Sequence, residues 1–224
     1  MPLNLLNFTK TTGTFHAIEI TATGTYDFDD INFTGFAGSL AETAANIYGN
    51  LTLASGMTII SSANAFTFTG TLDQNLTSAG ITIDKPITVN KTGGTFTIAD
   101  AANIGATRTF TLTAGNMSVN ATMNAQGAFT FTAGNLTVNA LMTTGAYTQN
   151  GGNIILNSGD IVCPTFTSNN STTRSITFNT SNINVSSTGT VVNMQTTTGL
   201  SSTTTGGAIN ITNAGSTAIT ITPG

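Results

Sequence analysis

An aromatic residue recurs at a nearly fixed interval in the middle of the chain. The aromatic positions are Phe110, Phe129, Tyr147 and Phe166, so successive intervals differ by a single position at most. Each of the first three is followed by a Gly-Asn pair and an apolar residue; the pairs are Gly115-Asn116, Gly134-Asn135 and Gly152-Asn153. Self-similarity at a fixed period is the sequence signature of a repeat architecture, so the segment predicts a stack of similar units.

Apolar and polar residues alternate within each copy. In the second copy, period-2 alternation predicts that Phe129, Phe131, Leu136, Val138 and Leu141 point inward and that the polar residues between them point outward. Such short strand pieces cannot bury an apolar face alone, whereas stacked copies form one continuous column. The sequence therefore predicts an all-β fold, a single-chain parallel β-solenoid with three-faced coils of about 18–19 residues.

This register assigns a role to the repeated residues. We expect the aromatic side chains to stack as an internal ladder, with one from each coil: Phe110, Phe129, Tyr147 and Phe166. Glycine and asparagine tolerate the positive φ of tight turns, so the Gly-Asn pairs are predicted to form the turns between strands.

The residue composition agrees with short strands and many turns. The chain of 224 residues contains 49 Thr, 25 Asn and 24 Gly, and only 6% of its residues are charged. Hydrophobic residues make up 39% and the net charge is −4, whereas disordered chains combine low hydrophobicity with high net charge. The weak charge offers no basic patch, so no nucleic-acid partner is expected. No apolar stretch approaches the roughly 20 residues that cross a bilayer, so no membrane insertion is expected.

Residues 1–48 differ from the rest and are predicted to be a separate N-terminal cap or joint. Ser39 and Glu42 have the spacing of a capping box, and alanines follow, which predicts a short helix near residues 39–48. Residues 49–224 are predicted to form the solenoid. An atypical terminal coil is what a solenoid needs to cover the open end of its core.

Two segments resemble a repeat style of virion-associated fibre or appendage proteins of tailed phages, particularly marine ones. They are residues 107–116 (TRTFTLTAGN) and 166–178 (FTSNNSTTRSITF), and the similarity extends over about residues 49–190. Many bacterial adhesin solenoids are similarly rich in threonine, asparagine and glycine. The resemblance implies a surface or attachment role and no catalytic residue. The amino terminus lacks the pattern of a signal peptide, which agrees either with a virion protein or with a fragment of a longer secreted protein. A virion or extracellular surface is the expected location.

One acidic cluster is a candidate metal site. Asp27 and Asp29 would share a face of a strand, and Asp30 would follow at a turn. Calcium takes six to eight oxygen ligands, which three carboxylates and backbone carbonyls could supply. The run lacks the glycine-spaced pattern of dedicated calcium loops, so solvated turn acids are the favoured interpretation. We predict no metal and no cofactor.

Catalysis is not expected. His16, the only histidine, and Glu19 would point to opposite faces of a strand. A glycosidase needs two carboxylates facing each other across a groove. The repeat region offers only scattered acids, with Lys85 and Lys91 as the close basic residues; these acids are Asp73, Asp84, Asp100 and Asp160. Cys163 has no histidine near it in sequence and is interpreted as a small core residue.

The remaining candidates are surface residues. Arg108 and Arg174 stand between threonines in matching places, which predicts that they lie on one face, for solubility or for contact with a glycan or partner. Thr-x-Thr strands would place threonines in outward ranks that resemble the surface of ice-binding solenoids; the best examples are Thr109, Thr111, Thr130 and Thr132.

Together these features predict a non-catalytic structural or adhesive module of a virion fibre or extracellular appendage. Its partners would be further copies of itself and a host-surface glycan. An ice- or glycan-binding solenoid is the first alternative, and a carbohydrate-active β-helix enzyme is the second.

Overall fold

The structure of the chain is a computed structural model. The structure describes residues 6–7, 25–40, 44–168, 170, 172–186, 189–194, 199–211 and 217–221. Within these residues all regular structure is β, without a helix, and all strand pairs are parallel. The predicted parallel β-solenoid is therefore confirmed.

The strands are short, apart from two that continue around a corner of the coil. In chain order they are β1 (Leu6–Asn7), β2 (Thr25–Phe28), β3 (Ile31–Asn32), β4 (Ser39–Leu40), β5 (Ala44–Ile47), β6 (Leu51–Thr52), β7 (Thr58–Ile59), β8 (Phe66–Gly70), β9 (Gln74–Thr77), β10 (Thr82–Ile83), β11 (Ile87–Ile98), β12 (Ala102–Ile104), β13 (Phe110–Val119), β14 (Met123–Ala125), β15 (Phe129–Phe131), β16 (Asn135–Val138), β17 (Met142–Thr144), β18 (Tyr147–Gln149), β19 (Gly152–Leu156), β20 (Ile161–Cys163), β21 (Phe166–Thr167), β22 (Arg174–Phe178), β23 (Ile183–Val185), β24 (Gly189–Met194), β25 (Leu200–Thr204), β26 (Ile209–Ile211) and β27 (Thr217–Ile221).

Each coil contributes one strand segment to each of three faces. Face 1 stacks β2, β5, β8, the first part of β11, the first part of β13, β15, β18, β21, β24 and β27. Face 2 stacks β1, β3, β6, β9, the second parts of β11 and β13, β16, β19, β22 and β25. Face 3 contains the pair β4–β7 and a seven-stranded sheet of β10, β12, β14, β17, β20, β23 and β26.

The inward side chains of the three faces fill the interior. Alternate residues of most strands are buried, as in Phe129–Phe131, where the two phenylalanines are buried and the threonine between them is half-buried. Successive side chains of a strand point to opposite sides, so this burial pattern follows directly from the sequence alternation. The prediction for Leu141 is wrong: it is 44% exposed, whereas Met142 is fully buried and starts the inward set of β17.

The predicted coil length holds for the central coils and is exceeded elsewhere. The coil that begins at Ile87 is longer than the next one, because the two differ at the corner between faces 1 and 2 and also at the corner between faces 3 and 1, where residues 105–109 precede Phe110 but only residues 126–128 precede Phe129. Asn90 pairs with Ala114 and Thr95 pairs with Asn116, so residues 91–94 occupy a corner that one glycine occupies in the next coil. The strands stay in register while these two corners take up the extra residues.

The predicted helix near residues 39–48 is wrong. Ser39–Leu40 pairs with Thr58–Ile59, and Ala44–Ile47 is a strand of face 1 in which Ala45 and Ile47 are buried. Alternate inward packing of these two residues outweighs the modest helix propensity of alanine. Because strands of residues 25–47 already belong to the ladders, the stack begins before residue 49. The helix candidate Glu42, the residue pair His16 and Glu19, and most of residues 1–24 lie outside the described part of the chain.

Candidate binding surfaces and interior polar sites

The four repeated aromatic side chains form one column inside face 1. The ring centroids of Phe110 and Phe129 are 5.2 Å apart, those of Phe129 and Tyr147 are 5.0 Å apart, and those of Tyr147 and Phe166 are 5.4 Å apart. The interplanar angles are 16°, 15° and 23°, and all four side chains are fully buried. Stacked arrangements with such separations are favourable for aromatic pairs.

The glycines of the Gly-Asn pairs form the tight corner between faces 1 and 2. Gly115, Gly134 and Gly152 have φ values of 88°, 101° and 72°, which disfavour other residues. A Cβ atom on Gly134 would lie 1.9 Å from the carbonyl oxygen of Gly115. Close stacking of the backbone at this corner therefore requires glycine in consecutive coils.

The asparagines of the same pairs form a hydrogen-bonded ladder on face 2. Asn135 Nδ2 donates to Asn116 Oδ1, and Asn153 Nδ2 donates to Asn135 Oδ1, both at 2.8 Å. A second ladder follows at the other end of these strands, with donor-to-acceptor distances of 2.7, 2.9 and 3.0 Å, and consists of Asn120, Asn139, Asn157 and Asn179. Turn asparagines predicted from sequence thus also connect adjacent coils.

Threonines form an outward column on face 1. In six consecutive coils the residue after the first inward position is Thr67, Thr88, Thr111, Thr130, Thr148 or Thr167. Thr132 belongs to a neighbouring, mixed rank, because the equivalent residue of the next coil is Asn150. Thr109 stands alone, since its equivalent in the following coil is Ala128. We call the six-residue column the threonine rank.

The two candidate arginines do not lie on one face, contrary to the prediction. Arg108 stands at the corner between faces 3 and 1, where its Nε donates to Asp84 Oδ1 at 2.6 Å and its Nη2 donates to Ser61 Oγ. The Arg108 hydrogen bond lowers the pKa of Asp84 from its ordinary value. Arg174 begins β22 on face 2 and is fully buried.

Arg174 lies in the interior of the solenoid and hydrogen-bonds to the corner between β21 and β22. Its Nε donates to Ser168 Oγ at 2.7 Å, its Nη2 donates to the Ser168 carbonyl at 2.8 Å, and its Nη1 donates to the carbonyls of Asn170 and Thr172. Burial lowers the pKa of Arg174. A guanidinium with five donors is suited to several carbonyls at once. Sequence reasoning missed this role because an arginine among threonines looks solvent-exposed.

A second interior polar cluster lies at the same corner in earlier coils. Lys91 is buried, and its Nζ donates to the Leu72 carbonyl and to Gln74 Oε1, each at 2.7 Å. Gln74 Nε2 in turn donates to the carbonyls of Ile47 and Gly49. Burial lowers the pKa of Lys91, and the charge of Asp73 opposes this shift. Lys91, from the wider corner described above, and Gln74, from the preceding coil, thus bind backbone carbonyls of the same corner in earlier coils.

The aspartates of the repeat region connect neighbouring coils. Asp73 Oδ1 accepts a hydrogen bond from the Thr95 backbone, and Asp160 Oδ1 accepts one from the Asn182 backbone, each at 2.7 Å. The Asp100 carboxylate accepts two backbone N–H bonds, from residues 78 and 79 of the preceding coil. Each of these acids, like Asp84, accepts a hydrogen bond from a neighbouring coil.

The acidic cluster has the same kind of contacts. Asp27 Oδ1 accepts a hydrogen bond from Asn46 Nδ2, and Asp30 Oδ1 accepts bonds from the backbone and side chain of Asn50. Asp29 is half-buried and lies beside Asp30 in the chain. In the described part of the chain, no group of three His, Cys, Asp or Glu side chains has the arrangement of a metal site.

Tyr147 and Cys163 are buried titratable groups of one coil. The Tyr147 hydroxyl is enclosed and has no hydrogen-bond partner. Burial, and next the nearby Cys163, raise the pKa of Tyr147 well above its ordinary value, and burial raises the pKa of Cys163 to about 12. A thiol with so high a pKa is a poor nucleophile at neutral pH, in keeping with a packing role.

Comparisons with known proteins identify no relative. No protein-family model, no curated protein and no solved structure matches the chain. Within the residues that the structure describes, no helix is long and apolar enough to cross a membrane. The β-solenoid fold is compatible with a structural or adhesive module.

Proposed function

We propose that the chain is a non-catalytic structural and adhesive module of a virion fibre or another extracellular appendage. It acts as a stiff spacer that associates with copies of itself and presents polar faces to a host surface. The resemblance to phage fibre segments and adhesins motivates this proposal. It performs no chemistry, and its location is the surface of a virion or cell.

The placement of charge carries the proposal. Between residues 66 and 168 every charged residue lies at a corner of the coil and none on an outward strand position; these residues are Asp73, Asp84, Lys85, Lys91, Asp100, Arg108 and Asp160. These seven side chains make hydrogen bonds to neighbouring coils at the corners. The three faces between them are neutral and polar, which favours a contact surface over a catalytic groove.

Electron microscopy and sedimentation of the purified chain test the fibre role. We expect elongated particles whose length increases with protein concentration, because the ends of a solenoid present unpaired strand edges and a net charge of −4 gives weak repulsion. A chain that remains strictly monomeric at the highest concentration would contradict self-association.

Ice binding is the second candidate, and the threonine rank favours it. Regular outward threonines on a flat face provide an ordered array of methyl and hydroxyl groups. A thermal-hysteresis assay separates the two candidates, because the appendage proposal predicts no inhibition of ice growth. Strong inhibition would replace the adhesive proposal with ice binding.

A carbohydrate-active enzyme is the remaining alternative. The acids of the repeat region lie at different corners or in different coils and accept bonds from different groups, which supports its rejection, since glycoside hydrolysis needs two carboxylates close together; they are Asp73, Asp84, Asp100 and Asp160. Incubation of the chain with a panel of polysaccharides should release no reducing ends and no unsaturated products. Release of either product would establish catalysis.

A further inference from the structure

The polar side chains at the edges of face 2 and those of the threonine rank on face 1 differ in whether the protein already uses their hydrogen-bonding groups. On face 2, the amides of Asn116, Asn135 and Asn153 bond to one another, and Ser175 Oγ donates to Asn153 Oδ1 at 2.8 Å. The second asparagine ladder is bonded in the same way. Both edges of face 2 therefore use much of their hydrogen-bonding capacity within the protein.

The threonine rank of face 1, in contrast, does not use its hydroxyl groups for hydrogen bonds within the described part of the protein. None of its six hydroxyl groups makes a hydrogen bond to another group of the described chain; the residues are Thr67, Thr88, Thr111, Thr130, Thr148 and Thr167. All six side chains point outward and are half-buried by their neighbours in the stack. Each hydroxyl keeps one donor and two acceptor lone pairs for an external partner.

The residue type of the threonine rank is also more uniform than that of the inward positions beside it. The inward residue just before it changes from Phe66 to Ile87 and Tyr147, and the coil length changes as well, yet the outward residue remains threonine. Strand propensity alone would accept a valine or isoleucine there. Such residues do occur at outward positions in the middle of strands on the other faces, namely Ile155 on face 2 and Val162 on face 3.

The charge of face 1 and the spacing of its threonines indicate the chemical class of the partner. No charged residue lies on an outward strand position of face 1 between residues 66 and 168, so an anionic or cationic polymer finds no complementary charge on the strands of this face. Adjacent strands are about 4.8 Å apart, so the rank extends over roughly 24 Å. Sugars also present hydroxyl and C–H groups side by side along a chain.

We infer that face 1 is the contact surface for a neutral polysaccharide, with the threonine rank as its line of hydrogen-bonding groups. This inference rests on the proposed adhesive function and specifies the face and the ligand class. The polymer lies along the solenoid axis and its hydroxyls replace water on successive threonines. Many weak contacts in parallel, multiplied in a fibre, provide the attachment.

Substitution of three rank threonines by valine tests the inference. The variant Thr111→Val, Thr130→Val, Thr148→Val removes three hydroxyls and keeps β-branched side chains that favour strands. The matched control on face 2 is Thr97→Val with Thr137→Val, whose sites are also outward and half-buried. Circular dichroism and thermal melting verify that both variants fold like the parent.

Affinity electrophoresis through gels containing dextran, amylose, mannan or anionic alginate measures binding at low and high salt. We expect the parent chain to be retarded by at least one neutral polymer, equally at both salt concentrations. The face 1 variant should lose at least tenfold in affinity, and the face 2 control should bind like the parent.

Each other outcome overturns the inference in a distinguishable way. If the face 1 variant binds as tightly as the parent, or if only the face 2 control loses affinity, the adhesive site lies on another face and the adhesive function still stands. Binding to alginate alone, abolished by salt, identifies a charged ligand. A changed sedimentation of the face 1 variant assigns face 1 to a second copy of the chain. No retardation by any polymer removes the glycan partner, whereas the fibre role is tested separately by microscopy.

Discussion

Replacing Tyr147 by phenylalanine removes one buried oxygen atom and leaves the aromatic column otherwise unchanged. The Tyr147 hydroxyl has no hydrogen-bond partner, and the ring stacks between Phe129 and Phe166 at centroid distances of 5.0 and 5.4 Å. A buried polar group without a partner costs about 1–3 kcal/mol in desolvation. Because a phenylalanine ring can occupy the same position, we expect Tyr147→Phe to raise the free energy of unfolding by about that amount.

Urea denaturation followed by circular dichroism measures the effect, with Phe129→Tyr as the matched control. This control places a hydroxyl on the neighbouring ring of the same buried column, so it should lower the free energy of unfolding by about 1–3 kcal/mol. A loss of stability on Tyr147→Phe would refute the reasoning, because it would mean that the hydroxyl makes a favourable interaction in the folded chain.

The same substitution should change the alkaline limit of stability. The pKa of Tyr147 is raised by burial in the folded chain, so above about pH 10 the unfolded chain releases a proton that the folded chain retains. Stability therefore falls as the pH rises through this range, and Tyr147→Phe should reduce the fall. Cys163, whose pKa is also raised by burial, is common to both proteins and cancels in the comparison. Identical pH profiles would show that Tyr147 ionises freely in the folded state.

Three other substitutions test the core, a corner and an ion pair. Phe129→Ala should lower the free energy of unfolding by about 3–5 kcal/mol, and a melt like that of the parent would mean that the ring is not a core residue. Gly134→Ala should lower the melting temperature more than Gly80→Ala does. A Cβ at residue 134 meets backbone at 1.9 Å, whereas at residue 80 it meets nothing within 4 Å and only the positive φ is unfavourable. Equal losses in melting temperature would exclude a close approach at the corner. Asp84→Asn should remove part of the acid sensitivity of the chain: the hydrogen bond from Arg108 lowers the pKa of Asp84, so the contribution of the pair is present at neutral pH and is lost as the pH falls below about 3.8. The pair is partly exposed, so its contribution is below about 1 kcal/mol, and equal urea midpoints of parent and variant at both neutral and acidic pH would contradict it.

The central coils could be read from sequence because their period is almost constant. The register that aligns Phe129 with Tyr147 also aligns the Gly-Asn corners and the inward side chains. Period-2 alternation then determines which residues face the core. The error at Leu141 arose because the prediction assumed a shift of one position at the corner before β17, whereas the inward residues Val138 and Met142 are four positions apart and keep the alternation.

Features that depend on contacts between distant coils could not be read in this way. Thr67 and Thr88 align with Thr111 only after the extra corner residues are known, so a fixed period misses the full threonine rank. Arg174 is buried because an enlarged corner supplies carbonyl groups around its guanidinium. Ala44–Ile47 has a local preference for helix that pairing with neighbouring strands overrides.

The asparagine ladders give the stack an electrical direction. In every rung the amide of the later coil donates to the oxygen of the earlier coil, as between Asn139 and Asn120 or between Asn179 and Asn157. Aligned amide dipoles add along the axis, and hydrogen bonds in a chain polarise one another. The two ends of a ladder therefore differ, since one ends in a donor and the other in an acceptor. Copies joined head to tail continue the row of dipoles, whereas copies joined tail to tail oppose it, and a head-to-tail contact that does not close on itself generates an open filament with two unlike ends.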